Sequence, residues 1–564
     1  MFAHSVQSLP SLVLPTSVAP YTMASVYRRY TTLILDLGDV LFRWSPHTET
    51  AIPPHQLKEI LSSVTWFEYE RGRISQAECY QRCAEEFDID ADVIAEAFRQ
   101  ARESLQPNEE FIELIRELRR QTHGDLIVLA LSNISLPDYE YITSLRSDWT
   151  SIFDRIFPSA LLGERKPHLG CYRKVIKEMN LEPSTTAFVD DKLDNVASAR
   201  SLGMHGIVFD NQSNVFRQLR NIFGDPIRRG QSYLHRHAGK LESSTDSGAV
   251  FEENFTQLII YELTHDKSLI TTSECPRTWN FFRGKPLFSE TFPDDVDTTS
   301  VALTVLDPDP ELVSSILDEM LSLVDADGIM QTYFDHTRPR MDPFVCVNVL
   351  SLFYQHGRGH QLSRTLDWVY EVLLYRAYHG GSRYYMSPDC FLYFVSRLLQ
   401  RAHDPEVQNR FSPLFIERLN ERIGAAGDSM DLAFRILAGA AVGIECPRDV
   451  EKLIAAQCDD GGWDLCWFYQ FGSTGVKAGN RGLTTALAIK AMETAIPRPP
   501  SPALSPSPAP SAASSASKLD IPKSFFHIPR PTSPIRFGSS GPIRFGDFLR
   551  PWRRANKVSA SLEA

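Results

Sequence analysis

The sequence lacks any apolar run that approaches the roughly 20 consecutive residues needed to cross a bilayer. Its 9 cysteines include no Cys-x-x-Cys pair and no cluster with histidine, so neither a structural zinc site nor a disulfide framework is indicated. An excess of basic residues is also missing, because 58 Lys and Arg stand against 70 Asp and Glu, for a net charge of -12. This balance argues against binding nucleic acid by phosphate neutralisation. We therefore expect a cytoplasmic protein with no integral membrane segment and no nucleic-acid partner.

The length of 564 residues predicts two or three independent cores. Residues 1–30 contain no Asp or Glu, as in transit peptides, but their prolines would interrupt an amphipathic helix, so we expect a disordered leader. Residues 497–564 begin with a stretch of almost only Pro, Ser and Ala, a composition that cannot form a packed core. We interpret them as a disordered, low-complexity tail.

Between these two ends the hydrophobic pattern changes once. From 31 to 225, short β-type apolar runs alternate with longer helical ones, which is typical of an α/β domain with a parallel sheet. The predicted strands are the runs at 33–35, 126–129, 186–189 and 206–209. A helical insert at about 45–122 would lie as a cap over the carboxyl ends of the strands, where such sheets bind ligands. Residues 226–249 are polar and are interpreted as a linker. Residues 250–496 carry large apolar side chains at three-to-four spacing and predict an all-α domain.

Polar residues stand next to the apolar runs of the first domain. Asp36 directly follows one run, Ser132 closes another, and the pair Asp190-Asp191 follows a third, while Lys166 lies between them in the sequence. Because the carboxyl ends of parallel strands meet at one edge of a sheet, we expect these side chains to converge. Phosphoryl transfer needs a carboxylate nucleophile, a metal-binding carboxylate, and a cation and a hydroxyl on the phosphate oxygens. The sequence therefore predicts a phosphoryl-transfer site at this edge.

These motifs, in this order between 31 and 210, resemble the haloacid-dehalogenase superfamily, especially the branch with a helical cap after the first motif. The resemblance implies a Rossmann-like α/β fold and Asp36 as the nucleophile. It also implies that Ser132, Asn133 and Lys166 hold the phosphoryl group, and that Mg²⁺ is the cofactor. The metal-site candidates that it implies are Asp36, Gly38 through its carbonyl, Asp190, Asp191 and Asp194.

One position departs from that family's pattern. The usual general acid stands two residues after the nucleophile, where this sequence has Gly38, with Asp39 one step further on. Protonation of the leaving group would then come from Asp39, from a water or from the substrate itself, while the metal still neutralises charge. The alternative is that the domain keeps its sheet and has lost its catalysis.

A second carboxylate pair, in Asp295-Val-Asp297-Thr298-Thr299, directly precedes apolar, helix-forming residues. One interpretation is a helix N-cap with acids placed favourably for the helix dipole. The other is acid catalysis, because protonating an isoprene double bond needs an undissociated carboxyl in an apolar cavity. Asp297 would supply the proton, and Asp295, Thr298 and Thr299 would orient it. The many aromatic residues of this half could stabilise a carbocation, although most such residues on helices are core.

The motif resembles the Asp-x-Asp-Asp acid motif of class II terpene cyclases, with Thr298 at the third acidic position. The segment from Gln457 to Trp463 resembles the Gln/Trp motif of their α/α barrels. The combination with a dehalogenase-like domain is similar to the drimane-type sesquiterpene cyclases of fungi and bacteria. The resemblance implies farnesyl diphosphate as the substrate and Asp297 as the proton donor, assisted by Asp295. The product would be drimenyl or albicanyl diphosphate, which the first domain would convert to the alcohol.

We expect arginine or lysine side chains to hold the diphosphate, since guanidinium groups bind it in a bidentate manner. One or two of the following candidates would do so: Arg277, Arg283, Lys285, Arg338, Arg340 and Arg383.

Other interpretations of the same sequence remain open. The segment from Asp190 to Asp194 also matches the Asp-Asp-x-x-Asp metal motif of class I terpene synthases, but that motif belongs on a helix and here follows a strand. The protein could be a cyclase only, with the first domain as a non-catalytic scaffold. It could also be a metabolite phosphatase whose helical domain binds a partner. The oligomeric state is not indicated by the sequence.

Overall fold

The computed structural model describes residues 30–44, 49–274, 277–472 and 474–495. Residues 1–29 and 497–564, which hold the predicted leader and the predicted tail, lie outside these ranges, so both remain predictions. Within the described ranges, no helix is both long enough and apolar enough to span a bilayer.

The N-terminal part is built on a parallel sheet of five strands in the order β5-β4-β1-β6-β7. The strands of this part of the chain are β1 (Thr32–Leu35), β2 (Phe42–Trp44), β3 (Leu105–Pro107), β4 (Ile127–Ser132), β5 (Arg155–Pro158), β6 (Thr186–Asp190) and β7 (His205–Val208). The central strand β1 is fully buried, since Leu33 and Leu35 face one core and Ile34 faces the other. A continuous apolar run is what a strand covered on both faces requires. The sequence predicted four of these strands; the edge strand β5, which is short and partly exposed, was missed.

The helices of this part of the chain cover the faces of the sheet or form a separate cap. They are α1 (Pro54–Leu61), α2 (Val64–Glu70), α3 (Gln76–Phe87), α4 (Ala91–Glu103), α5 (Glu109–Gln121), α6 (Leu136–Ser144), α7 (Trp149–Ile152), α8 (Ser159–Leu162), α9 (Leu169–Met179), α10 (Leu193–Ser201) and α11 (Gln212–Phe223). Apolar residues of α5 and α11 pack on one face, and those of α9 and α10 pack on the other. The predicted α/β fold is confirmed.

The helical cap is shorter than the predicted range of 45–122. Helices α1 to α4 share a separate core around Ile60, Trp66 and Phe98. Helix α5 instead buries Phe111 and Ile115 against the sheet. The difference arises because α5 has a strongly apolar face, and the sequence pattern alone does not show which core that face joins.

The C-terminal part is helical, as predicted. Its helices are α12 (Pro226–Arg236), α13 (Phe255–Thr264), α14 (Val296–Leu306), α15 (Pro310–Leu321), α16 (Pro343–Gln355), α17 (Ser363–Leu374), α18 (Pro388–Arg401), α19 (Pro405–Arg422), α20 (Ser429–Ala441), α21 (Pro447–Ala455) and α22 (Arg481–Ala495). Helices α13, α14, α16, α18, α20 and α22 pack each on the next, and α22 returns to α13, so they form a closed inner ring. Helices α17, α19, α21 and α12 lie outside this ring against α16, α18, α20 and α22. This is the predicted α/α barrel.

A small antiparallel sheet in the order β10-β11-β8-β9 accompanies the barrel. Its strands are β8 (Ser243–Thr245), β9 (Val250–Phe251), β10 (Tyr469–Gln470) and β11 (Lys477–Gly479). Strands β8 and β11 pair in an antiparallel manner, which joins the start of the barrel sequence to its last connection.

The range 226–249, predicted to be a polar linker, contains helix α12 and strand β8, so that prediction was wrong. Asp225 caps α12 by accepting a hydrogen bond from the Arg228 backbone N–H at 2.9 Å. Ile227, Tyr233 and Leu234 are buried against the barrel. The polar residues that suggested a linker lie on the other face of this amphipathic helix, whose short apolar stripe is easily overlooked in sequence.

The end of the α/β part packs directly on the Gln/Trp segment. Asn221, on α11, donates a hydrogen bond to the Gln457 carbonyl at 3.0 Å, and Arg217 donates to the Ala455 carbonyl at 2.8 Å. These carbonyls follow the last turn of α21, where a helix leaves its acceptors unpaired. Trp463 is fully buried and donates to the Leu453 carbonyl at 2.7 Å. The Gln/Trp segment therefore fixes both the barrel helices and the helix of the preceding part.

Candidate active sites

The residues predicted for phosphoryl transfer meet at the carboxyl edge of the parallel sheet. Asp36 directly follows β1, and Asp190 is the last residue of the neighbouring strand β6. The Lys166 ammonium nitrogen lies 2.9 Å from Asp36 Oδ1 and 2.6 Å from Asp190 Oδ2. All three side chains are buried. The structure thus brings a lysine between two carboxylates, with little access for water.

Asp190 and Asp191 are adjacent in sequence but have different surroundings. Asp190 Oδ1 accepts hydrogen bonds from the Lys192 backbone at 2.9 Å and from the Asn195 amide at 2.8 Å, and its Oδ2 accepts one from Lys166. Asp191 Oδ1 is buried and has no hydrogen-bond partner among the described residues. A buried carboxylate oxygen without a partner is unfavourable unless a cation binds it. Asp191 therefore has the free coordination that a metal ion needs.

Asp36, Asp190 and Asp191 form a compact acidic group, with one carboxylate oxygen of each within 4.8 Å of the others. Burial, together with the charges of Asp190 and Asp191, raises the pKa of Asp36 to about 6 against the opposing effect of Lys166. A divalent cation relieves such repulsion, and Mg²⁺ prefers carboxylate oxygens. The donor set and the unpaired Asp191 oxygen fit this ion. Asp194, in contrast, is exposed on α10 and is not part of the group.

The remaining predicted residues of this site surround it. Ser132 is buried at the end of β4. Asn133 accepts a hydrogen bond from the Lys166 backbone N–H at 2.8 Å and donates to the Lys166 carbonyl at 3.0 Å, so it holds the lysine in place. Gly38 and Asp39 are exposed after β1. Burial raises the pKa of Asp191, and the charge of Asp39 contributes to that shift. Asp39 therefore lies close enough to act on the acidic group.

The cap contributes to the entrance of this site. A cavity of about 300 Å³ opens beside Lys166, and Arg165 and Lys192 also line it. The Arg165 guanidinium lies 3.8 Å from the ring centre of Phe67 and donates to Glu70 Oε2 at 2.9 Å, both on cap helix α2. A basic side chain at the cavity is thus held by the cap.

The second candidate site is a cavity of about 440 Å³ at the mouth of the helical barrel. Asp295, Asp297 and Thr298 line it from the start of α14. Most of the remaining wall is aromatic, with Phe255, Phe281, Phe282, Phe292, Tyr333, Tyr384, Tyr385, Tyr469 and Phe471. Two carboxyl groups therefore face a cavity whose walls are mainly aromatic rings.

Asp295 fits both interpretations of its motif at once. It is the N-cap of α14, since its Oδ1 accepts from the Thr298 backbone N–H at 2.6 Å and its Oδ2 accepts from the Thr298 hydroxyl at 3.0 Å. It is also buried at the cavity. Burial and the neighbouring Asp297 together raise its pKa well above the usual range for an aspartate. Asp295 is therefore a helix cap whose burial favours the protonated form of its carboxyl group.

Asp297 is the second residue of α14, and two side chains donate hydrogen bonds to it. The Asn348 amide donates to Asp297 Oδ1 at 2.8 Å, and the Tyr385 hydroxyl donates to Asp297 Oδ2 at 2.5 Å. Burial raises the pKa of Asp297 to about 6, while the hydrogen bonds from Tyr385 and Asn348 lower it. Such a carboxyl is protonated in mildly acidic solution, yet its conjugate base is stabilised once the proton leaves.

The two threonines of the motif have separate roles. Thr298 lines the cavity and bonds to Asp295. The Thr299 hydroxyl accepts from the Trp279 backbone N–H at 2.9 Å and is fully buried, so it fixes the segment that precedes the cavity wall. The prediction that Thr299 orients the proton is not supported by a contact with either aspartate side chain.

The structure divides the predicted diphosphate-binding side chains into two groups. Arg338, Arg340 and Arg383 line the cavity, and Arg340 and Arg383 form no ion pair within the described part of the chain. Arg277 instead pairs with Glu319 at 2.7 Å, and Arg283 pairs with Glu252 at 2.8 Å. Neither Arg277 nor Arg283 lines the cavity; both have a carboxylate partner elsewhere.

Sequence reasoning missed the two buried amides that donate hydrogen bonds to Asp297 and to Asp190. Asn348 is a single amide within the apolar run of α16, and Asn195 is a buried polar residue of α10. A polar side chain inside an apolar helix is a usable signal, since burying it costs free energy unless it has a partner. The sequence does not show which partner it has.

Comparison with known proteins gives a consistent result for both parts. The family model for haloacid dehalogenase-like hydrolases matches residues 30–203, and the model described as sesquiterpene cyclase astC-like C-terminal domain matches residues 227–356. The chain is 45% identical to drimenol cyclase drtB of Aspergillus calidoustus over 461 residues, covering 82% of this chain and 87% of that protein. It is 36% identical to sesquiterpene phosphatase astK of Aspergillus oryzae over 34% of this chain and 95% of that protein.

Among solved structures, a haloacid-dehalogenase-family enzyme of Bacteroides thetaiotaomicron matches with a TM-score of 0.28 and 19% identity, over 33% of this chain and 98% of that one. The relationship to drimenol cyclase extends over most of both chains and includes both parts. This chain therefore belongs to the family of sesquiterpene cyclases that join a haloacid-dehalogenase-like domain to a helical cyclase domain.

Proposed function

We propose that the helical barrel cyclises farnesyl diphosphate to a bicyclic drimane-type diphosphate, drimenyl or albicanyl, and that the α/β part removes the phosphates to give the alcohol. The observation that carries the proposal is the aromatic cavity of about 440 Å³ into which two buried carboxyls project. The similarity to a drimenol cyclase and to a sesquiterpene phosphatase supports the same pair of steps.

Asp297 is the proton donor in this proposal. Its proton goes to the terminal double bond of the substrate, the electron pairs of the next two double bonds form the two ring bonds, and a proton leaves beside the final cation. The reaction is thus an isomerisation that consumes nothing. Aromatic faces such as those of Phe292 and Tyr385 stabilise the cation and exclude water, each by about 0.5–2 kcal/mol. Tyr385 and Asn348 stabilise the carboxylate that remains.

The diphosphate is held by the cations of the cavity wall. Arg340 and Arg383 have no competing carboxylate in the described part of the chain, and Arg338 lies beside them with Asp335 as its only ion-pair partner there. Guanidinium groups bind phosphate oxygens in a bidentate manner.

In the α/β part, Asp36 is the nucleophile that attacks phosphorus, breaks its bond to the leaving oxygen and forms an aspartyl phosphate. Water then hydrolyses this aspartyl phosphate to inorganic phosphate and the free carboxylate, and two such rounds convert the diphosphate to the alcohol. Lys166 and Ser132 hold the phosphoryl oxygens, and Asn133 holds Lys166 in position. Asp36, the Gly38 carbonyl and Asp191 are the residues that would hold Mg²⁺. When bound, that ion neutralises charge on the phosphoryl oxygens. The leaving oxygen takes its proton from Asp39, from water or from the substrate.

Product analysis tests the proposal. The full-length protein is incubated with farnesyl diphosphate and Mg²⁺, and extracts are analysed before and after treatment with an unrelated phosphatase. We expect a drimane-type alcohol without that treatment. Asp191→Asn should yield the cyclic product only after phosphatase treatment, and Asp297→Asn should yield no cyclic product. Asp307→Asn, at an exposed left-handed position that closes the same helix α14, is the matched control for Asp297.

Two results would overturn parts of the proposal. If the unmodified protein forms only the cyclic diphosphate, the α/β part is a scaffold. If Asp297→Asn leaves the product unchanged, the barrel carboxyl is not the acid. Asp210→Asn, an exposed carboxylate after β7, serves as the matched control for Asp191.

A further inference from the structure

We propose that Arg397, Asn348 and Glu262 form a positioning chain behind the cyclase acid, which confines the transferable proton to Oδ2 of Asp297. This inference rests on the proposed cyclase function and specifies how its acid is prepared. None of the three residues lines the cavity, so they act through Asp297 and do not touch the substrate.

The orientation of the Asn348 amide is fixed by its two neighbours. Arg397 Nη1 donates to Asn348 Oδ1 at 2.8 Å, and Asn348 Nδ2 donates to Asp297 Oδ1 at 2.8 Å. A guanidinium can only donate hydrogen bonds, so the carbonyl oxygen of the amide must face Arg397. The amide nitrogen must then face Asp297. Because an amide nitrogen can only donate, Asp297 Oδ1 can only accept and holds no proton towards Asn348.

Arg397 is itself held from several sides. Its guanidinium forms a forked pair with Glu262, at 2.7 Å to Oε2 and 3.3 Å to Oε1. It lies over the rings of Tyr393 and Phe394, at 5.8 Å and 5.4 Å from their centres. Only 4% of the residue is exposed. A side chain with this many partners has a single arrangement, and it transmits that arrangement to Asn348.

The proton of Asp297 is consequently on Oδ2, the oxygen that also accepts the Tyr385 hydroxyl at 2.5 Å. Both Asp297 and Tyr385 line the cavity, so the free direction of Oδ2 is towards the substrate. After the proton leaves, the Asn348 amide and the Tyr385 hydroxyl each donate to one oxygen of the carboxylate. The same contacts that orient the proton therefore stabilise its conjugate base.

The charged side chains behind Asp297 also favour the transfer of its proton. Glu262 pairs with Arg397 and, at 2.5 Å, with Arg401, so two arginines share one carboxylate. The excess positive charge compensates the negative charge that Asp297 acquires on proton transfer. The other titratable groups whose charges act on Asp297, or on which it acts, are Asp295, Asp342, Cys346, Tyr385 and Cys390.

The decisive variant is Asn348→Asp, which keeps the shape of the side chain. Arg397 would still bind one oxygen, and the other oxygen would face Asp297 Oδ1 as an acceptor, so the two carboxyls would share the proton. We expect kcat for cyclisation to fall by about tenfold to a hundredfold with little change in KM, which is typical of a group that acts only in the transition state. The descending limb of the pH profile should move to higher pH, because a second carboxylate disfavours ionisation.

Variants of Arg397 test whether this residue orients the Asn348 amide. Arg397→Gln frees the Asn348 amide to turn and should lower kcat by about tenfold. Arg397→Lys retains a donor and should restore part of that loss. Ser351→Ala is the matched control, because Ser351 is buried on the same helix α16 and its hydroxyl donates to the Val347 carbonyl of that helix. Phosphatase activity and the melting temperature show whether each variant is folded.

Infrared difference spectroscopy supplies a measurement that does not depend on turnover. The carboxyl band assigned by its loss in Asp297→Asn is titrated with pH in the unmodified protein, in Asn348→Asp and in Arg397→Gln. We expect the pKa of Asp297 to rise in both variants. Unchanged pKa and unchanged kcat in both would overturn the inference. If the unmodified protein does not cyclise farnesyl diphosphate, the proposed function fails, and the infrared titration still decides whether the chain controls Asp297.

Discussion

At the scale of single residues, the main feature is a carboxyl that is buried and yet has hydrogen-bond donors. Burial raises the pKa of Asp297 to about 6, and Tyr385 and Asn348 act in the opposite direction. A fully buried carboxyl without donors would hold its proton too tightly to transfer it, and an exposed one would already have lost it. The combination allows Asp297 to be protonated before the reaction and stabilised after it.

This pKa gives the cyclisation step a defined pH dependence. A raised pKa means that Asp297 carries its proton below about pH 6 and loses it above. We expect kcat for cyclisation to be highest in mildly acidic solution and to fall by about tenfold for each pH unit well above the pKa. The measurement is the kcat profile of the cyclic diphosphate formed by Asp191→Asn, which separates cyclisation from dephosphorylation. A rate that rises with pH across this range would contradict the assignment.

Gly38 is the residue at which the phosphatase site departs from its family. A Cβ added there would meet no atom within 4 Å, so a larger side chain can be accommodated. We expect Gly38→Asp to place a general acid beside Asp36 and to raise the hydrolysis of alkyl phosphates by about tenfold, within the range that general acids contribute. Aryl phosphates with good leaving groups should respond little.

The two kinds of substrate serve as each other's control in that measurement. An equal increase for both would indicate a change in binding and not in proton transfer. Asp39→Asn in the natural background then shows whether Asp39 already supplies the proton, since the rate for alkyl phosphates should fall in that case.

At the scale of elements, α12 shows how a helix can be hidden in a polar sequence. Its apolar stripe packs on α22, and Gly230 allows the close approach. A Cβ at Gly230 would lie 2.8 Å from Ile489 and 3.0 Å from the Trp463 ring. The glycine is therefore part of the barrel packing and not a sign of a flexible linker.

We expect Gly230→Val to destabilise the helical barrel by about 1–3 kcal/mol, because overpacking forces neighbouring side chains out of their preferred positions. Thermal unfolding followed by circular dichroism should show a lower melting temperature. Gly380→Val is the matched control, since a Cβ at Gly380 would meet no atom within 4 Å. Equal melting temperatures for the two variants would show that α12 does not need its close contact with α22.

At the scale of the whole molecule, the two chemical steps use separate sets of residues. The residues proposed for phosphoryl transfer lie between 36 and 191, and the cyclisation cavity is lined by residues between 255 and 472. Each step should therefore survive the loss of the other. Contacts such as that of Asn221 with the Gln457 carbonyl join the two parts without adding a side chain to either cavity.

A mixture of two inactive variants tests this separation. Asp297→Asn lacks the proposed proton donor, and Asp191→Asn lacks the proposed metal-binding carboxylate, so neither alone should form the cyclic alcohol. We expect an equimolar mixture to form it, because the cyclic diphosphate released by one variant is hydrolysed by the other. Gas chromatography of the extracts provides the measurement. If the mixture accumulates only the diphosphate, the intermediate must pass between sites within one chain.

Much of this arrangement was accessible from sequence. The strands β1, β4, β6 and β7, the change to an all-α region and the two carboxylate motifs all depend on local patterns of apolar and polar residues. The boundaries of the cap and of the barrel were harder to predict from the sequence. The cap ends before α5, and α12 belongs to the barrel, because an amphipathic face does not specify which core it joins.

The sequence by itself determined which residue types carry the chemistry, since the motifs around Asp36 and Asp297 are contiguous. Only the tertiary structure decided their partners. Asn348 and Tyr385 come to Asp297 from positions 51 and 88 residues away, and Arg340 and Arg383, unlike Arg277, reach the cavity. The reason is that proton affinity depends on burial and on donors within about 3 Å, and these distances are fixed by how helices pack.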